Sequence, residues 1–154
     1  MSAEQIYCEV KVKIITTRFG EIEIDEKKII TFLMGIPGFR ELKRFIMIDH
    51  KDPIKWLQAV DDPDVAFIVI NPFIVFPSYS VDIKDDEELF LGIKGPADVL
   101  VLTILCVANN IITANLRCPI VINITNYHAA QILMDDERYD FHTPMPGLPQ
   151  KSTT

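Results

Sequence analysis

Residues 61–76 read DDPDVAFIVINPFIVF, acidic residues around a proline followed by an apolar run broken only at Asn71-Pro72. The run is too short to cross a bilayer and carries a proline in its middle, so it is not a membrane span. Val, Ile and Phe dominate it, and Pro72 and Pro77 would each remove a backbone donor from a helix containing them. Two short strands are expected instead. One, over residues 65–70, is buried on both faces. The other, over residues 73–76, follows the turn at Asn71-Pro72 and runs along a sheet edge, where proline is tolerated.

Strand signals extend outward from this stretch. VKVKIITTRFGEIEID, from Val10, alternates apolar and polar residues on either side of Phe19-Gly20 and reads as a hairpin. Residues 29–33 form a further strand before MGIPGF, where Gly35, Pro37 and Gly38 mark a turn. RFIMID and IKWLQAV follow as strands, with Trp56 expected in the core, and residues 78–83 extend the same sheet. DDEELFLGI, from Asp85, places carboxylates ahead of Leu89-Phe90-Leu91, which suits the positive end of a short helix closed by Gly95-Pro96. ADVLVLTILCV, IITANL, CPIVINIT and AAQILM continue the β pattern to Met134. The expected fold is all-β and mostly antiparallel, a compact barrel-like or sandwich single domain over residues 1–154, with at most one or two short helices. Residues 140–154 are proline-rich and aperiodic and read as a flexible tail.

Composition narrows the function classes. Fifteen basic against 22 acidic residues give a net charge of −7, which repels phosphate backbones and argues against direct nucleic-acid binding. A basic protein partner fits better. Cys8, Cys106 and Cys118 show no CxxC spacing, so neither a disulfide framework nor a zinc site is expected, and reduced thiols suit a cytosol. No secretory signal or transmembrane helix is read, and a cytoplasmic monomer is expected.

No catalytic motif emerges. GIPG, at 35–38, lacks the length, Lys and Ser/Thr of a phosphate-cradling loop. His50, His128 and His142 have no metal-ligand spacing, and no metal or cofactor is expected. Cys118, His128 and Asp135 can be written as nucleophile, base and orienter, but Cys118 before Pro119 reads better as a small packed side chain. Three acidic clusters stand out: Asp61, Asp62 and Asp64; Asp82 with Asp85, Asp86, Glu87 and Glu88; and Asp135, Asp136 and Glu137. A charge run is usually a solvated face, yet these lie beside apolar strands.

Taken in order, RFGEIEID (18–25), GIPGF (35–39), WLQAVDDPDVAFIVINPF (56–73), DVLVLTIL (98–105), TANLRCPIVIN (113–123) and DDERY (135–139) resemble the flagellar assembly factor FliW family. The resemblance covers about residues 11–139. Residues 1–9 and the segment after Tyr139 fall outside it, and Arg117-Cys118 is a local departure. It implies a β-barrel-like cytoplasmic protein without enzymatic activity that binds newly made flagellin and CsrA, a small dimeric RNA-binding repressor of flagellin translation. It further implies that the two partners exclude each other: accumulated flagellin captures the factor and releases CsrA to repress.

On that basis Phe73, Ile74, Phe76 and Tyr79 are expected to supply an apolar contact for flagellin segments that lack their assembled partners. Asp61, Asp62, Asp64, Asp85, Asp86, Glu87 and Glu88 are expected among the charges that steer the basic regulator. Two other readings stay open: a small-molecule-binding β-barrel, which requires an enclosed apolar cavity, and an enzyme built on Cys118.

Overall fold

The computed structural model describes residues 10–146. In chain order these form strands β1 (Lys11–Thr16), β2 (Gly20–Asp25), β3 (Ile30–Phe32), β4 (Arg44–Asp49), β5 (Lys55–Ala59) and β6 (Ala66–Ile70). Two short helices follow, α1 (Pro72–Val75) and α2 (Asp85–Leu91), then β7 (Val99–Ala108), β8 (Ile111–Ala114), β9 (Ile120–Asn123), β10 (His128–Gln131) and β11 (Thr143–Pro144).

Seven strands close a barrel in the order β7-β6-β5-β4-β3-β10-β9, with β9 returning to β7. Its length lets β7 close the ring. Val99–Leu102 pairs with β9, Thr103 to Leu105 pair with β6, and the far end turns through Asn109-Asn110 into β8. Both asparagines adopt positive φ, 54° and 63°, as a two-residue hairpin of this twist requires. The barrel pairings are antiparallel except β10 with β3.

Alternation along the strands separates two cores. Phe45, Leu57, Phe67, Val69, Leu102, Ile120 and Ile122 point into the lumen and fill it with Phe32 and Ile36. The Phe32 and Phe45 rings meet edge to face at 5.3 Å, and Phe67 meets Phe39, from the GIPGF turn, at 5.5 Å. That turn is tight: Gly35 has φ +70°, and a Cβ there would lie 2.5 Å from the Arg40 carbonyl oxygen. The opposite faces of β6, β7 and β9 present Ile68, Ile70, Leu105 and Val121 to a second core with Tyr79, Leu91, Leu116 and Met134. This is why residues 65–70 are apolar throughout, since one face lines the lumen and the other lies under a shell of connecting chain. Burying each such Val or Ile side chain contributes about 1.5–3 kcal/mol. The β1–β2 hairpin makes a third, smaller core over Ile46 on the outer face of β4.

Four local expectations are corrected. Residues 73–76 are not an edge strand: Pro72–Val75 is a single helical turn, with the Asn71 side chain accepting from Phe73 N–H at 3.0 Å. Asn is a favoured N-cap and Pro is tolerated at the first helical position, where its missing donor has no partner to lose. Residues 78–83 form no strand and instead cross the second core as irregular chain. Gly92 rather than Gly95-Pro96 ends α2, adopting φ +73° and donating its N–H to the Glu88 and Leu89 carbonyls. The presumed tail is held over residues 143–145, where Thr143–Pro144 pairs with β8 and Met145 is buried in the second core. Residues 1–9 with Cys8, and 147–154, lie outside the described residues.

Trp56 is also displaced from its expected place. It is half-buried on the outer face of β5, with the Arg18 guanidinium 4.3 Å from its ring centre and Phe19 edge-on at 6.0 Å.

Candidate partner-binding surface

The shell over β6 and β7 divides the predicted apolar contacts into two pairs. Phe73 and Ile74 project from α1, 41 % and 61 % exposed. Phe76 is half-buried in the second core, and Tyr79 is 5 % exposed within it. The Tyr79 hydroxyl donates to the Leu116 carbonyl at 2.6 Å, and its ring meets Tyr139 at 4.8 Å and Phe73 at 5.7 Å. Burial, then the neighbouring Tyr139, pushes the Tyr79 hydroxyl well above the usual tyrosine pKa. Tyr79 therefore anchors the shell and is not available as a contact, while Phe73 rests partly on it.

Beside Phe73 lies an open groove of about 530 Å³ lined by Asp82, Ile83, Glu88, Ile93 and Lys94. Phe73 and Glu88, predicted for different roles, thus face one depression. Phe73 of α1 and Glu88 of α2 line it together with connecting chain over 81–83 and 93–96 and the start of β7, and α1 lies against β7 while α2 lies against β10.

The first acidic cluster is occupied locally. Asp61 takes Arg44 through two hydrogen bonds, at 2.6 and 3.1 Å, and that contact lowers its pKa. The Asp62 carboxylate accepts from Asp64 N–H at 3.0 Å, and Asp64 accepts from the Thr17 hydroxyl. Buried Gln58 donates to carbonyls of the same turn, including Ala59 and Val65 at 3.1 Å. With Thr17 N–H bonded to the Pro63 carbonyl at 2.9 Å, residues 61–64 clasp the β1–β2 hairpin onto the β5–β6 turn. The structure does not bring them to α2, because β3 and β4 stand between β5 and β10.

The second and third clusters do meet. Lys84 Nζ lies 3.0 Å from Asp135, and Glu87 Oε1 accepts from Lys84 N–H at 2.9 Å, closing the first turn of α2. Asp85, Asp86 and Glu88 remain exposed. Asp136 pairs with Arg138 at 2.6 Å, and the Arg138 guanidinium and backbone N–H hold its carboxyl at about 2.

Met34, Leu89 and Phe90, 61 %, 83 % and 46 % exposed, were missed by sequence reasoning. Their signal was partly present: three consecutive apolar residues on a helix are spread around its axis, so burying Leu91 turns Leu89 and Phe90 away. Met34 falls in a turn, where no periodicity reports on exposure.

The competing chemistries fit less well. The Cys118 thiol is raised by burial despite Arg117 beside it, opposite to the activation a nucleophile needs. The Cys118 carbonyl is bonded by Gln131, whereas His128 sits three residues away along β10, about 10 Å of strand. The fold does not assemble Cys118, His128 and Asp135. Among the described residues no group of three His, Cys, Asp or Glu is placed to hold a metal, and no helix is long and apolar enough to cross a membrane. The lumen that a small-molecule barrel would keep open is filled by Phe32, Phe45, Leu57 and Ile120, each fully buried.

The family model described as FliW protein matches residues 13–145. The chain is 43 % identical over 132 residues to the flagellar assembly factor FliW of Syntrophus aciditrophicus, across 83 % of this chain and 84 % of that one. It is 40 % identical over 140 residues to the FliW of Clostridium beijerinckii, across 88 % of this chain and 99 % of its relative. A crystal structure of the flagellar assembly factor FliW shares the fold with a TM-score of 0.82 and 39 % identity, covering 86 % of this chain and 96 % of that one. On sequence and fold together, the chain belongs to the FliW family of flagellar assembly factors.

Proposed function

We propose that this flagellar assembly factor binds flagellin in the cytoplasm and antagonises the RNA-binding repressor CsrA, so that the level of unexported flagellin sets flagellin translation. The observation that carries the reading is the exposure of Phe73 and Ile74 on α1 beside a groove walled by Glu88. Paired exposed apolar residues at an open groove are unfavourable in water and become favourable when covered by an apolar segment of a partner. A net charge of −7 steers a basic RNA-binding protein toward the chain and opposes phosphates once it is bound.

The test is a titration of the purified protein with flagellin of the same organism, full-length and lacking its C-terminal segment, with CsrA then added as competitor. Binding that requires the segment and is displaced by CsrA is the expected result. Failure to bind either flagellin or CsrA would overturn the reading.

A further inference from the structure

α2 is a wall shared by two depressions. Glu88 faces the Phe73 groove. Asp86, Glu87 and Phe90 face another, of about 320 Å³, completed by Met34, Ala130 and Ile132. The i, i+4 spacing of Asp86 and Phe90 puts a carboxylate and an aromatic ring side by side on this second face. Exposed Leu89 continues the apolar surface outward.

We propose that this second face is a docking site, separate from the Phe73 groove, for a positively charged segment of a protein partner with an apolar side chain at its centre. The proposal rests on the reading that a basic regulator is one of the two partners. Two features of the site select that chemistry. The depression is floored by Leu91, Ala130 and Ile132 and flanked by Phe90 and Met34, so its centre rewards an apolar insertion. Its rim carries Asp86, which faces solvent, while the nearby cation Lys84 is in direct contact with Asp135 at 3.0 Å. An acidic or neutral partner would desolvate Asp86 with nothing in exchange, whereas a Lys or Arg would pair with it. A protein occupying this face touches the same seven-residue helix that walls the Phe73 groove. Segments bound on its two sides therefore compete for the position of one small element, without contacting the same residues.

The test compares the wild-type protein with Phe90→Ser, Met34→Ser, Asp86→Lys and Phe73→Ser for binding to CsrA and to flagellin, with melting curves for each. The expected result is that Phe90→Ser, Met34→Ser and Asp86→Lys weaken CsrA binding about tenfold or more while changing flagellin affinity by less than about threefold. Asp86→Lys should also flatten the salt dependence of CsrA association. Phe73→Ser should show the opposite selectivity. Met34→Ser, in a turn, keeps the test decisive if Phe90→Ser fails to fold. If wild type binds CsrA and all three face variants bind it equally well, the site is overturned while the functional reading stands. If wild type does not bind CsrA, both fall. Equal loss of both partners in every variant would indicate one common surface and overturn the separation. Self-association of wild type that Phe90→Ser abolishes, with CsrA binding intact, would assign the face to a second copy and overturn the proposal.

Discussion

The two faces of β6 are equally apolar, and the fold covers them by different means. Phe67 and Val69 face a lumen closed by regular strand pairing, where neighbouring side chains arrive in register from every side. Ile68 and Ile70 face a shell built from a single helical turn, irregular chain, α2 and the segment that ends in Met145. Regular pairing leaves little freedom, and Phe32, Phe45, Leu57 and Ile120 are fully buried in the lumen. The shell is assembled from short pieces that meet imperfectly, and open grooves lie there beside exposed Phe73, Ile74 and Phe90. Stability should therefore reside mainly in the lumen and recognition in the shell.

Phe45→Ala should test that division most severely. Phe45 is 0 % exposed and packs against Phe32 and Phe67, so its loss should cost about 3–5 kcal/mol and lower the melting temperature by about 10 °C. Ile74→Ser, in the shell, should shift stability by less than about 0.5 kcal/mol. Equal melting of the two variants would remove the distinction between lumen and shell.

Phe76→Ala sharpens the comparison inside the shell. From sequence Phe76 reads as a contact residue, yet it is packed against the second core. Truncation should cost about 1–3 kcal/mol, less than Phe45 because the ring is only half-buried. A denaturant melt unchanged from wild type would return Phe76 to the contact surface.

Tyr79→Phe should cost about 1–2 kcal/mol, because it leaves the Leu116 carbonyl without its buried donor. It also has a signature in pH. Burial raises the folded pKa of Tyr79 above its unfolded value, so the folded state retains a proton that the unfolded state releases. That contribution is complete below about pH 10, the unfolded tyrosine value, and is lost as pH rises from there toward the folded value. Thermal melts should lose stability above about pH 10 less steeply in Tyr79→Phe than in wild type. Parallel alkaline profiles would mean the hydroxyl is not held as described.

The same contrast explains what was legible in the sequence. Lumen strands announce themselves through β-branched runs and turn residues, and VLVLTILCV and PIVIN were placed by pattern alone. The barrel's closure, which depends on β7 serving β6, β8 and β9 along ten residues, has no local signal. In the shell, Pro72 counted against a helix because its position within one was unknown; at the first helical residue it favours a start. Tyr79 and Phe73 are both aromatic residues in the segment between β6 and α2, and only long-range partners, Leu116 and Tyr139, decide which is buried. Acid at 61–64 looked free because its partners, Arg44 and Thr17, are distant in the chain.

The smallest expected effect lies at the outer margin of the shell, in the loop that places Tyr139 against Tyr79. Arg138 holds Asp136 at about 2 by its guanidinium and, secondarily, by its backbone N–H. The folded value is below the unfolded one, so this contribution is present above about pH 4 and is lost as pH falls toward about 2. In Arg138→Ala the side-chain donor disappears but the backbone N–H remains, so the carboxyl pKa read by NMR titration should rise most of the way to the ordinary aspartate range and stop short of it. Solvent around the pair screens its energy, and the melting temperature near neutral pH should barely move. An unshifted Asp136 in the variant would show that the loop around it, and with it one support of Tyr139, is set by backbone packing alone.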